Sequence, residues 1–228
     1  MTTTLGRSAE ELYGGAKAGI TCRSVSVSPS PSRVWDVRRM LQPETLHGLA
    51  LAVEDRDIET AQHTVRVGRS AARLAARLGL TANFVALIGE AAPLHDVGKI
   101  GIPDSVLLKP WSLNAVEFEA MKQHTILGSK LLAGSDSELR RLAGQIALTH
   151  HERWNGSGYP AGLAGDAIPI AGRIVAVVDT FDAMTHTRPY KSASTVEEAL
   201  AEISRCSGSQ FDPRVATAFE PELPIAIT

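Results

Sequence analysis

Cysteine is nearly absent from this 228-residue chain: Cys22 and Cys206 are the only two, far apart in sequence. They exclude a disulfide framework and a thiolate metal site. Aromatic residues make up only 5%. A core must then come from Leu, Ile, Val and Ala, which favours helices. Neither sign of charge dominates: 23 Lys and Arg stand against 25 Asp and Glu, a formal net charge of −2. No global attraction to a nucleic-acid polymer or an acidic membrane follows, so any anion site must be a local cluster. No apolar run approaches the ~20 residues that span a bilayer. The N-terminus lacks a basic segment followed by an apolar core. A cytoplasmic protein without membrane insertion or a signal peptide is the expectation.

What is present is 44% hydrophobic residue content, ample at this length for a sizeable core. Residues 1–42 carry Gly14-Gly15 and the Ser/Val/Pro run from Ser24 to Ser32, which is turn and linker chemistry. They are expected to form a flexible N-terminal arm or, around Val34, Trp35, Val37 and Met40, a short docking helix. Residues 43–228 read as one all-α domain. A helix starts at Pro43, and another near Asp57 carries Ile58, Ala61, Val65, Gly68, Ala72 and Ala75 at helical spacing. Thr81 suits the N-cap of a third, which Pro93 should kink late. Ser112-Leu113-Asn114 opens a fourth, with Val116, Met121, Ile126, Leu127 and Leu131 as its expected apolar face. Ser135-Asp136-Ser137 caps a fifth, with Leu139, Leu142, Ile146 and Leu148 facing the core. The apolar run from Ile170 to Val178 suits a buried strand or a buried helix, and the following Asp179 to Met184 favour helix. Thr195 to Ile203 and Asp212 to Phe219 close the chain.

The chemistry gathers around Leu94-His95-Asp96-Val97-Gly98-Lys99-Ile100-Gly101. An imidazole beside a carboxylate offers nitrogen and oxygen to a divalent metal, and the ammonium of Lys99 suits a phosphate. Gly98 and Gly101 lie in a turn that lets a ligand come close. Glu59 and His63, at i and i+4, share a helix face. His124 lies on the fourth helix. His150 and His151 end the fifth. Adjacent helical residues diverge by about 100°, so these two are expected to bracket a metal cluster, each ligating a different ion. Asp179 and Asp182, at i and i+3, need a counter-charge at the end of a buried helix, which a metal supplies. Trp154 and Tyr159 give flat faces, suited to a nucleobase, to a loop dense in Gly and Pro. Arg188 and Lys191 flank Pro189 as a phosphate clamp.

Taken together, Leu94-His95-Asp96-Val97-Gly98-Lys99-Ile100, His150-His151-Glu152-Arg153 and Gly158-Tyr159-Pro160 resemble the HD-GYP branch of the HD phosphohydrolase superfamily. The resemblance runs from about Ala50 to Phe219. It implies an HD-superfamily helical bundle that acts as a metal-dependent phosphodiesterase, opening cyclic di-GMP to pGpG and, where Glu59 helps hold a third ion, carrying it on to GMP. It implies two or three divalent ions, Fe or Mn, held by His63, His95, Asp96, His124, His150, His151 and Asp179, with Glu59 as the carboxylate of a third. Asp96 and Lys99 would carry catalysis. Lys99, Arg188 and Lys191 would hold phosphates, Gly158, Tyr159 and Pro160 would border the guanine pocket, and Asp182 would lie near the substrate.

Two positions depart from the family pattern. Trp111 stands where Gly usually follows Lys109-Pro110, and Pro93 replaces a small helix former; both bear on the shape of the site mouth. A regulatory protein or a second copy of the chain is the expected macromolecular partner. The competing readings are a non-catalytic cyclic di-GMP sensor or interaction module, and another HD-type nucleotide phosphohydrolase.

Overall fold

The computed structural model describes Gly48, Val53, residues 61–134, 136–187 and 193–219, and Pro221. The expected boundary between residues 42 and 43, the helix from Pro43 and the start near Asp57 lie outside them. Among the described residues all regular structure is helical, apart from two isolated bridges, Asn155 to Ala164 and Ser207 to Phe211.

Helix α1 (Ala61–Arg77) turns at Gly79, whose φ of 73° is one that glycine adopts freely, into α2 (Ala82–Ala91). Thr81 caps α2 as expected, its hydroxyl accepting from Phe84 N, a contact worth about 1 kcal/mol. Pro93 ends the α-helical hydrogen bonding, and the chain tightens into a 3-10 turn, Ala92–Leu94. A second 3-10 turn, Val97–Gly101, and the short α3 (Asp104–Leu107) follow. Helix α4 (Ala115–Leu132) opens on a capping box of Asn114 and Glu117, and Lys109 donates to the same Glu117 carboxylate at 2.5 Å. Helix α5 (Glu138–Thr149) runs back beside α4. The Ile170 run is helical: α6 spans Ile170–Thr185. A second capping box, Thr195 with Glu198, starts α7 (Val196–Arg205), and Asp212 caps α8 (Pro213–Ala218).

Val67, Ala71 and Leu74 of α1, Ile88 and Ala91 of α2, Ile146 and Ala147 of α5 and the Ile174–Val178 segment of α6 make one continuous core. Its large members are aliphatic apart from Phe211, in keeping with the scarcity of aromatics. The expected apolar face of α4 is not the buried one. Val116 is 80% exposed and Leu131 39%, while His124, Thr125, Gly128 and Leu132 face inward. The cause is the backbone of the 97–101 turn, which lies directly on α4: an added Cβ on Gly128 would meet Gly98 N at 3.2 Å. Where main chain covers a helix at this distance, glycine and small polar side chains fit and bulky ones do not.

Candidate metal centre

Four of the five histidines at the centre are oriented by their own helix or by a neighbouring carboxylate. His95 Nδ1 donates to Ala92 O at 3.0 Å and His124 Nδ1 to Met121 O at 2.7 Å. His150 Nδ1 lies 3.1 Å from both Ile146 O and Ala147 O. On α1, His63 Nδ1 lies 2.6 Å from Asp182 Oδ2. A carbonyl or carboxylate oxygen only accepts, so Nδ1 carries the proton and Nε2 presents a lone pair in the neutral ring.

These lone pairs converge with carboxylate oxygens in two groups. Asp96, His124, His150 and His151 form one, and His63, His95 and Asp179 the other, with the ligand atoms of each group within 4.8 Å of one another. Asp96 joins them. Its Oδ1 is 3.2 Å from His124 Nε2 and 3.5 Å from His150 Nε2, while its Oδ2 is 3.4 Å from His95 Nε2. In the second group Asp179 Oδ1 lies 3.5 Å from His63 Nε2 and 3.8 Å from His95 Nε2. Two imidazole lone pairs also face each other, His124 Nε2 and His150 Nε2 at 3.4 Å. Acceptors pointed at acceptors in a buried pocket repel unless a cation lies between them. The donor set, imidazole and carboxylate without thiolate, suits a divalent first-row ion. The seven expected protein ligands among the described residues therefore fit metal binding.

Electrostatics agree with that donor set. Burial alone would raise the Asp96 pKa, but the ammonium of Lys99, whose Nζ is 2.7 Å from Oδ2, and His95 hold it well below the usual carboxylate range. Burial lowers His150. His151 is lowered further, by burial first and then by His150 and His124. Neutral imidazole is the ligand form.

His150 and His151 do not bracket separate groups as expected; both join the group of Asp96 and His124. The 100° rule fails here because α5 ends at Thr149 and His150 is its C-cap. The chain leaves the helix between the two rings, which come to 4.1 Å between centroids. His151 then stacks on Tyr159 at 4.8 Å and 27°. Burial, and next the charge of Asp96, raise the Tyr159 phenol far above its normal range, so it stays a neutral hydroxyl.

Asp182 lies behind the centre. It takes two hydrogen bonds from Arg66, at 2.6 and 2.8 Å, and fixes His63. Its counter-charge is the Arg66 guanidinium, and it orients His63. Gly158 is glycine for a packing reason: a Cβ there would meet Arg153 N at 2.3 Å and both Glu152 Cα and His151 O at 2.6 Å. The Gly158-Tyr159-Pro160 stretch, whose Tyr159-Pro160 peptide is cis, is thereby seated on the histidine pair. Glu59, Arg188 and Lys191 lie outside the described residues.

Two residues passed over in sequence prove to be supports. Arg66 could have been found, since it sits three residues after His63 on the same helix face. Glu152 is 3% exposed, and its carboxylate accepts from Ala161 N at 2.8 Å and Leu163 N at 3.0 Å, closing the loop. Its place next to the histidines was a signal; its partners, nine and eleven residues on, were not.

A bundle of helices carrying two imidazole–carboxylate groups joined at an adjacent His-Asp pair defines an HD domain, and the HD domain family model matches residues 49–215. The chain belongs to the HD domain family. It is 53% identical over 176 residues to the cyclic di-GMP phosphodiesterase of Thermotoga maritima, covering 77% of this chain and 48% of that one. It is 50% identical over 175 residues to the cyclic di-GMP phosphodiesterase response regulator RpfG of Xanthomonas campestris, covering 77% and 46%. The chain thus spans about half the length of these curated relatives. Among solved structures, a cyclic GMP-AMP specific phosphodiesterase of V. cholerae (V-cGAP3) shares the fold, with a TM-score of 0.57 and 22% identity over 78% of this chain and 47% of that one. No helix among the described residues is long and apolar enough to cross a membrane.

Proposed function

We propose that this chain is a cyclic di-GMP phosphodiesterase that opens the ring to linear pGpG and proceeds to GMP in the cytoplasm. The observation that carries the reading is Asp96, one oxygen toward each donor group and Lys99 beside it. The names of the relatives point the same way. Two or three divalent ions, Fe or Mn, when bound supply an activated water and neutralise charge at phosphorus.

The protein's own residues do the rest. His63, His95 and Asp179 would hold one ion and His124, His150 and His151 another, with Asp96 reaching toward both groups. Lys99 neutralises charge that builds on the phosphoryl oxygens, or gives a proton to the departing 3′-oxygen. Tyr159, as a neutral phenol, donates a hydrogen bond without competing as an anion. Glu59 completes a third ion's ligands, Arg188 and Lys191 hold phosphates, and Gly158, Tyr159 and Pro160 border the guanine pocket. A regulatory protein or a second copy of the chain controls access.

The test is protein purified without air, with metal per chain measured and cyclic di-GMP turnover followed by chromatography. Two or more ions per chain and the appearance of pGpG then GMP are expected, with turnover lost in Asp96→Ala. Hydrolysis retained in Asp96→Ala refutes the scheme. Substrate bound but unchanged at full metal loading supports the sensor reading instead.

A further inference from the structure

A strip of flat and cationic side chains leads outward from the metal centre. His151 stacks on Tyr159, and the Tyr159 ring meets the Phe118 ring edge to face at 6.0 Å and 81°. Lys122, one turn further along α4, holds its ammonium 5.0 Å from the Phe118 centroid and 5.5 Å from that of Tyr159. Glu119 pairs with Lys122 at 2.6 Å from the same helix, but this pair is exposed and weak. Phe118 stands among the walls of a cavity of about 280 Å³ that His150, His151, Tyr159 and Asp179 also line.

Phe118 remains 43% exposed. An aromatic ring at the wall of a polar cavity lined by candidate metal ligands contributes little to the core, and helix α4 would be as well formed with a smaller residue there. Its open ring is a stacking surface for a base. The neighbouring ammonium is a donor without acceptor capacity. It complements the O6 and N7 acceptors on the outer edge of guanine and is repelled by the amino group that adenine carries at that edge.

We infer that Phe118 and Lys122 are the base-reading end of the site, Phe118 as platform for one purine and Lys122 as the donor that selects guanine. This rests on the cyclic dinucleotide reading above. It adds two residues on α4, Phe118 six and Lys122 two positions before the ligand His124, that would couple base recognition to the metal centre.

The experiment is steady-state hydrolysis of cyclic di-GMP by the metal-loaded wild-type chain and by Phe118→Ala, Phe118→Trp, Lys122→Met and Lys122→Arg, with cyclic di-AMP as competing inhibitor. Metal per chain and helical circular dichroism control for folding. Phe118→Ala should raise KM about tenfold, the size of a lost base–aromatic stack, with kcat held within twofold, and Phe118→Trp should recover most of the loss. Lys122→Met should raise KM for cyclic di-GMP by a similar factor without weakening cyclic di-AMP, and Lys122→Arg should recover part of it. An unchanged KM in Phe118→Ala, or a loss in kcat alone, overturns the platform. Equal weakening of both dinucleotides in Lys122→Met overturns the guanine assignment. A wild-type chain that turns over no cyclic di-GMP overturns the proposed function itself, a result distinct from either.

Discussion

Alanine at Gly98 should damage both the fold and the metal centre. A Cβ at this position would lie 1.9 Å from His124 O, 2.4 Å from Gly128 N and 2.9 Å from Gly128 Cα. All three are main-chain atoms inside α4, so no side chain can swing aside. Restoring a tolerable contact requires the 97–101 turn to move off α4 by about 1 Å. Asp96 lies two residues before Gly98 and moves with it, whereas His124 stays on α4. Ligand distances tolerate only about 0.2 Å, so the group of Asp96, His124, His150 and His151 should lose its ion. Overpacking costs about 1–3 kcal/mol where side chains can yield; against a rigid helix backbone the upper value applies, about 3 kcal/mol. Gly128→Ala is the graded control. Its Cβ would meet Ala147 Cβ and Gly98 N at 3.2 Å, and alanine in a helix regains up to about 1 kcal/mol, so its stability should stay within about 1 kcal/mol of wild type. Urea unfolding and metal per chain measure both effects. A Gly98→Ala protein of wild-type stability and full metal content would refute the reasoning, as would a greater loss in Gly128→Ala.

Arg66→Met should lower metal affinity of the His63, His95 and Asp179 group about 10–100-fold, as removal of a ligand's support does, while the group of His124 keeps its ion; metal titration in the presence of a competing chelator resolves the two. Asp212→Ala should cost about 3 kcal/mol in urea unfolding, because Arg173 loses a fully buried partner at 2.8 Å and α8 loses its cap. The chelated protein should lose stability as pH falls below about 6.5. His150 and His151 have lowered pKa values in the fold, so the unfolded chain takes up protons first. Their penalty is absent above the unfolded value and grows toward the folded ones. His151→Phe should flatten the decline, and a pH-independent unfolding midpoint between about pH 5 and 7 would contradict it.

Much of the fold was legible because its signals are local. Thr81 and Thr195 needed only their own next three residues to act as caps, and Pro93 interrupted a helix by its ring alone. The inward face of α4 was not legible, since it depends on Gly98 arriving from another turn and excluding bulk at Gly128. The same division holds at the centre. His95, Asp96, His63, His124 and Asp179 stood out by type and spacing, and the structure brings them together with His150 and His151. Which ion group each member joins was hidden, because the break in α5 at Thr149 reorients His151 in a way helix periodicity does not describe. Asp182 was visible as a charge needing compensation, but its partner Arg66 lies 116 residues earlier in the chain.

The rings of His95, His124 and His150 are tethered to carbonyls within a turn of their own positions. Their aim toward the centre is therefore set by main chain that the helices would hold in any case. The ions do not have to gather these donors from a loose chain, and little rotamer freedom remains to be lost when they bind. In that sense the metals are tenants of a finished building rather than part of its frame. Removing them should leave the walls standing, and one divalent ion can be exchanged for another without the protein having to unfold between occupants.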